Sequence, residues 1–302
     1  MPLNYYSCCL RALKQFALVA GAALLLSAAA STPAQKNKNV ANAPVVPLLT
    51  RTVSRHEVRR FGYGGTVTVV GAPRGSITIE GWSKSEVDIT AEIEVQAATE
   101  EDLARLAAVN GFIIDDEGNH LSLLTTGMHD KSYMRKAAKS FPKQLLGLPW
   151  KIDYRVRIPV STQLEINGGV GPISVSGVEG VVTLSAPQTK ATLTLTGGVV
   201  TGTIAAGTVN VRIPVRSWRG SGVDIQLASG EINVELPAGF NGDIDADILH
   251  SGKIENAYPG LETRDRTVFS EQTIHARAGA GGAFLRFKVG AGTIRLRKSV
   301  HE

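Results

Sequence analysis

One short phrase constrains this chain more than anything else in it: a glycine followed by aliphatic residues at every second position. It occurs as Gly65-Thr-Val-Thr-Val69, Gly75-Ser-Ile-Thr-Ile79, Gly171-Pro-Ile-Ser-Val175 and Gly180-Val-Val-Thr-Leu184. It returns as Gly207-Thr-Val-Asn-Val211, Gly230-Glu-Ile-Asn-Val234 and Gly292-Thr-Ile-Arg-Leu296, with looser copies from Gly202, Gly242 and Gly252. Alternation at period two gives a strand with one apolar face, and the glycine supplies the corner that leads into it. Recurrence at intervals near ten residues predicts a coiled stack of short strands, a β-solenoid or β-roll. The composition agrees: 32 glycines and only 6% aromatics suit a mainly β protein with many tight corners. With 302 residues, 43% of them hydrophobic, the chain can bury a large core.

Residues 1–34 read as a secretory signal peptide. Arg11 and Lys14 form a positive n-region, 16–26 an apolar h-region, and 27–34 a small-residue stretch that offers cleavage after Ala30 or Ala34. The apolar run is short for the roughly 20 residues that a membrane span needs. Both cysteines, Cys8 and Cys9, precede the h-region, so a mature chain holds none and its core must suffice without disulfides. Loss of Arg11 and Lys14 lowers the net charge from +5 to +3, too little to argue for nucleic acid. The expected location is the periplasm or the cell surface.

Residues 35–50 read as a flexible linker, 51–151 as an N-terminal portion of strands and one helix, and 152–300 as the solenoid-like domain. Strands are expected at 66–70, 76–80, 86–95, 111–115, 120–125 and 152–159. The helix is expected at 99–108, where Thr99 can cap the N-terminus, acidic residues fill the first turn and Asn110-Gly111 stops it. Residues 128–151 break the strand pattern. This insertion contains Lys131, Arg135, Lys136, Lys139, Lys143 and Lys151 against Asp130. Tyr133, Met134, Ala137, Ala138 and Phe141 recur at helical spacing, which predicts a short basic amphipathic helix over 131–141. Such a helix suits an anionic membrane surface or an acidic polysaccharide. Alternatively its apolar side docks on the body of the protein.

Chemistry-bearing patterns are sparse. No His pair has metal-ligand spacing, no phosphate-binding loop occurs, and Gly279-Ala-Gly-Gly282 departs from the dinucleotide fingerprint because Phe284 stands at its last glycine position. No cofactor or metal is expected. The best carboxylate cluster is Asp243-Ile-Asp-Ala-Asp247, whose three acids share one strand face about 7 Å apart. That spacing could serve a glycan-hydrolysing pair or a calcium ion. It equally describes a solvent face with Ile244 and Ala246 pointing inward. A lyase would also need a base, for which Arg212, Arg216 and Arg219 are available. Trp218, between Arg216 and Arg219, reads either as an exposed sugar-stacking ring or as a corner residue folded over the core. Trp82 reads as core.

Several of these segments resemble a bacterial family of exported domains provisionally named adhesins. The matching stretches are Gly75-Ser-Ile-Thr-Ile-Glu-Gly-Trp82 with Val87-Asp-Ile89, and Arg155-Val-Arg-Ile-Pro-Val160 with Leu164-Glu-Ile166. Ser229-Gly-Glu-Ile-Asn-Val-Glu-Leu-Pro237 and Ser251-Gly-Lys-Ile254 match as well. The resemblance implies a stacked β-solenoid at the cell envelope and brings no catalytic residue with it. The expected function is therefore non-enzymatic: an adhesin-like scaffold or binding module. The alternatives are a polysaccharide-acting enzyme using the Asp243–Asp247 face, or a structural part of an envelope complex joined by edge strands. Envelope polysaccharide, an anionic membrane surface or another envelope protein are the partners these readings name.

Overall fold

The computed structural model describes residues 47–138, 140–264 and 268–299. The signal-peptide reading and most of the linker lie outside the described residues. The strands of the first half are β1 (Leu49–Arg60), β2 (Thr66–Val70), β3 (Ile77–Trp82) and β4 (Glu86–Ala97). Helix α1 (Glu100–Val109) follows, then β5 (Gly111–Glu117), β6 (His120–Thr126) and helix α2 (Lys131–Ala137). The chain continues through β7 (Trp150–Pro159), β8 (Gln163–Asn167), β9 (Val170–Ser176), β10 (Val181–Thr194), β11 (Gly197–Arg212) and β12 (Arg219–Leu236). It closes with β13 (Gly242–Ala257), β14 (Leu261–Thr263), β15 (Thr273–Ala278) and β16 (Phe284–Lys298).

All the strands belong to one sheet of 16, which does not close on itself. Its centre is a parallel, in-register stack in the order β10, β11, β12, β16, β13. Each of these strands is long enough to bend. In β12 the buried residues are Val223, Ile225 and Leu227, then Ile232, Val234 and Leu236. The buried set changes parity at Ala228-Ser229-Gly230, and β10, β11 and β16 change parity in the same way. A strand that stayed straight would send one half of this apolar set into water, because alternate side chains point to opposite faces. The bend lets both halves face one interior.

The glycines of the repeat make that bend. Gly207, Gly230, Gly292 and Gly252 pair in register across four strands. At Gly230, φ is 136°, and a Cβ would lie 1.9 Å from the carbonyl oxygen of Gly207. Only a residue without a side chain fits there. Thr189 stands in the same column on β10, and its hydroxyl donates to the Gly171 carbonyl at 2.8 Å.

The first halves of the bent strands extend through β8, β2, β6 and β5 on one side and through β15 and β14 on the other. The second halves extend through β9, β3, β7, β4 and β1. Because β7 lies between β3 and β4, the sheet runs without interruption across residues 151 and 152. The two runs meet inside: Phe112 of β5 packs edge-on against Tyr154 of β7 at 5.9 Å. Helix α1 buries Leu103 and Leu106, and Thr99 caps it by accepting from the Asp102 amide. It ends where Asn110-Gly111 was expected to stop it: Asn110 is extended and donates through Nδ2 to the Leu106 carbonyl at 3.0 Å. β1 begins at Leu49, inside the segment read as linker.

Candidate functional site

The outward residues of the first-half ladder form columns across the strands, one strand spacing of about 4.8 Å apart. One column runs Asp243, Phe284, Gly222, Val199, Val181. The next runs Asp245, Arg286, Asp224, Thr201, Thr183, and a third Asp247, Lys288, Gln226, Thr203, Ser185. The aspartate row of β13 and the Gly220-Ser-Gly222 corner of β12, more than twenty positions apart in sequence, thus share one face with only β16 between them.

The row itself differs from an open solvent face. Ile244 and Ala246 point inward, fully buried, as the alternation requires. Asp245, however, is only 8% exposed. Arg264, just after β14, and His275 and Arg277 of β15 lie across the acids. Arg264 donates to Asp245 at 2.6 Å, Arg277 donates to both oxygens of Asp243 at 2.8 and 3.2 Å, and His275 lies 3.3 Å from Asp247. On β16, Arg286 donates to Asp224 at 3.2 Å. The Arg277 guanidinium holds the Asp243 carboxyl below its ordinary value. A glycosidase needs one carboxyl protonated and its partner ionised. The Arg277 guanidinium favours the ionised form of Asp243 instead.

Beside the row, the face has a notch. Gly222 has φ 125°, and a Cβ would fall 2.0 Å from the Phe284 carbonyl oxygen. Its neighbours in the column, Val199 and Phe284, therefore stand with no side chain between them. The resulting cavity of about 230 Å³ is lined by Val199, Thr201, Ser221, Asp224, Phe284 and Arg286 among others. The pairing register slips between Gly197 and Val199, a bulge that re-aims the strand beside the notch. The guanidinium carbons of Arg264 and Arg286 lie 4.7 and 5.2 Å from the Phe284 ring centre.

Trp218 is a corner residue, not a platform. It is 8% exposed, and its Nε1 donates to the Gly198 carbonyl at 3.0 Å, under the bulge. Arg219 pairs with Glu179 at 2.7 Å and Arg212 with Glu235 at 3.1 Å, so neither sits on the aspartate row. Arg216 is exposed, and its carbonyl accepts from the Asn241 amide at 2.8 Å. Trp82, expected in the core, is half-buried on the outer face, with Lys84 at 4.8 Å and Arg157 at 5.9 Å from its ring. It falls at even parity with Thr78 and Glu80, and that parity points outward in β3.

In the insertion, α2 ends at Ala137, short of the expected 141. Asp130 caps it by accepting from the Ser132 and Tyr133 amides at 2.8 and 3.1 Å. Those two amides, Tyr133 first, hold the Asp130 carboxyl below its ordinary value. Met134 is buried, and Tyr133, Ala138 and Phe141 pack against the core. The apolar side is therefore docked on the body. Lys131, Arg135, Lys136 and Lys143 are exposed, while Lys139 lies outside the described residues. Lys151 pairs with Glu94 and Asp153 within the sheet.

Among the described residues, no group of three or more His, Cys, Asp or Glu is placed to hold a metal ion. No helix among them is long and apolar enough to cross a membrane. Sequence reasoning missed Phe284, Arg286, Asp224, Arg264, Arg277 and His275. Their outward parity is readable in Val223-Asp-Ile-Gln-Leu227 and Phe284-Leu-Arg-Phe287, but the pairing of β12 with β16 across some sixty residues is not.

No family model matches the sequence, and no curated protein matches it. Among solved structures the chain is similar to a protein from Clostridium sporogenes provisionally named for cell adhesion. The identity is 11% and the TM-score 0.43, over 82% of this chain and 100% of that one. A provisionally named adhesin from Bacteroides fragilis matches at 12% identity and TM-score 0.31, over 82% and 97%. A provisionally named lipid binding protein from Parabacteroides distasonis matches at 10% and 0.23, over 82% and 96%. Two of the three carry the adhesin or adhesion name of the family that the sequence resembles. At these identities and TM-scores neither fold nor role carries over from them.

Proposed function

We propose that this chain is an exported, non-enzymatic binding module of adhesin type. Its stacked strands act as a solenoid-like scaffold, and its ligand is a neutral envelope polysaccharide held along the outer face of the first-half ladder. The observation that carries the reading is the pairing of the aspartate row with Arg264, Arg277 and His275. These acids are engaged by cations brought beside them by β14 and β15, which suits recognition. The face is balanced in charge, regular in spacing and rich in hydrogen-bonding groups. A linear glycan, whose hydroxyls recur at a fixed interval, matches such a surface. The notch at Gly222 is below the roughly 300–1,000 Å³ of drug-sized pockets and suits one sugar ring. Val199 and the ring of Phe284 would meet the ring's apolar C–H face, and Ser221, Asp224 and Arg286 its hydroxyls.

Affinity electrophoresis of the full chain through gels containing neutral polysaccharides tests the reading, with reducing-end release measured in parallel. Retardation without release, weakened at least about fivefold by Phe284→Ala, is the expected result. Release of reducing ends that Asp245→Asn abolishes without unfolding would replace this reading with the enzymatic one.

A further inference from the structure

The insertion between β6 and β7 carries an excess of positive charge and a hollow that glycan binding does not use. Lys131, Arg135, Lys136 and Lys143 are exposed and form no ion pair among the described residues. The one acid of this stretch, Asp130, is engaged in capping α2. The same insertion helps to line a cavity of about 290 Å³, bounded by Arg74, Met128, His129, Leu148, Pro149 and Trp150 among others. Arg74, also exposed and outside any ion pair among the described residues, adds a fifth cation. Leu146 stands at the lip, 45% exposed, and the rings of His129 and Trp150 lie 5.4 Å apart.

The hollow is preformed. Asn110, at the end of α1, is buried and accepts through Oδ1 from the Met128 amide at 3.1 Å, which grips the start of the insertion. Leu145 is buried and anchors its far side. The apolar side of α2 is already committed to the body, so α2 cannot enter a bilayer as an amphipathic helix. What remains exposed on the insertion is four cations, a leucine and a hollow lined by Arg74 and Trp150.

We propose that this insertion docks the protein onto an anionic phospholipid bilayer. Lys131, Arg135, Lys136 and Lys143 meet the lipid phosphates, while Leu146 and the Trp150 hollow take up the interfacial apolar layer. Several cations beside the surface supply the attraction. Tryptophan and an exposed aliphatic residue are the side chains that settle at headgroup depth. A hydrated polyanion would use the cations but leave the leucine and the hollow idle, which is why a bilayer fits better than an acidic polysaccharide. The site stands apart from the charge-balanced ladder face, so either could fail without the other.

Co-sedimentation of the full chain with phosphatidylcholine vesicles and with vesicles containing phosphatidylglycerol, at low and high salt, tests the proposal. The expected result is binding to the phosphatidylglycerol vesicles alone, weakened by salt. Arg135→Glu with Lys136→Glu should lower the partition coefficient at least about tenfold. Leu146→Ser should lower it severalfold with the net charge unchanged. All three positions are exposed, and circular dichroism checks that each variant stays folded. Absence of binding to either vesicle, a partition that ignores both variants, or tighter binding to polygalacturonate than to vesicles would overturn it.

Discussion

The ladder face and the insertion are both rich in charge, yet the charge is organised in opposite ways. On the ladder, Asp224 meets Arg286, Asp243 meets Arg277, and Asp245 meets Arg264, because the stacked or adjoining strands bring them together. In the insertion, no such repetition exists, and Lys131, Arg135, Lys136 and Lys143 form no ion pair among the described residues, with Asp130 engaged in capping α2. Stacked strands force side chains into columns, and a column of like charges is unfavourable at one strand spacing. Ladder charges therefore alternate in sign. A segment outside the stack escapes that restraint and can concentrate one sign. Charge on the ladder chiefly maintains the sheet, whereas charge on the insertion is available to something else.

The contrast presupposes the register, and the register rests on the apolar columns within. Ile232 is fully buried between Val209 of β11 and Ile294 of β16. Ile232→Asp places a carboxylate in that dry layer and should cost about 4 kcal/mol or more, enough to unfold much of the sheet. Urea denaturation followed by circular dichroism measures it. A variant that keeps wild-type stability would mean that the columns do not hold the register, and the account of alternating charge would fall with it.

A smaller effect separates the two kinds of charge directly. The carboxyl of Asp243 sits below its ordinary value, chiefly through its hydrogen bond from Arg277. A group whose folded pKa is lowered contributes stability above its unfolded value, here near 3.8, and loses it as pH falls through the folded value. Wild-type stability should therefore fall by about 1 kcal/mol through this group as the pH drops from about 5 to below the ordinary carboxylate range. Asp243→Asn should flatten that part of the acid limb, and Lys143→Ala should leave it unchanged. An identical acid limb in Asp243→Asn would show that the Arg277 contact contributes nothing to folding.

Local features of this fold were legible, and long-range ones were not. β2 falls at the expected 66–70, and the Thr99 cap of α1 forms as expected, because both depend on residues within one turn or one strand. Parity was equally readable: Ile244 and Ala246 face inward from period two alone. The basic helix over 131–141 was overextended, since helical spacing of apolar residues continues past Ala137 while the backbone turns to dock Phe141 on the core. What covers the aspartate row could not be read at all. Arg264, His275 and Arg277 follow the row by about twenty to thirty positions, and only the antiparallel return of β15, with β14 paired to it, sets them beside it. Trp218 was ambiguous for a related reason: whether a ring at a corner folds inward depends on the neighbouring strand, here the carbonyl of Gly198.

The weakest expected effect is the sharpest check on the ladder as a solvated, self-neutralising face. Asn233 lies outward on β12, between Asn210 of β11 and Arg295 of β16, and its Nδ2 donates to Asn210 Oδ1 at 3.1 Å. Asn233→Asp removes that donor and turns the pair of acceptors toward one another, a loss of about one neutral hydrogen bond at a half-exposed site. It also sets a carboxylate opposite Arg295, which already pairs with Glu231 at 2.7 Å and Glu255 at 2.8 Å. The two consequences oppose each other, so the net change should stay under about 1 kcal/mol by urea denaturation. Raising the salt should screen the ionic gain and leave the lost hydrogen bond, so the net change should move slightly toward destabilisation. A destabilisation above about 2 kcal/mol would mean that the asparagine column acts as a structural ladder in its own right. The second-half face would then be held by amide pairing rather than by alternating charge, and the contrast with the insertion would hold for the first-half ladder alone.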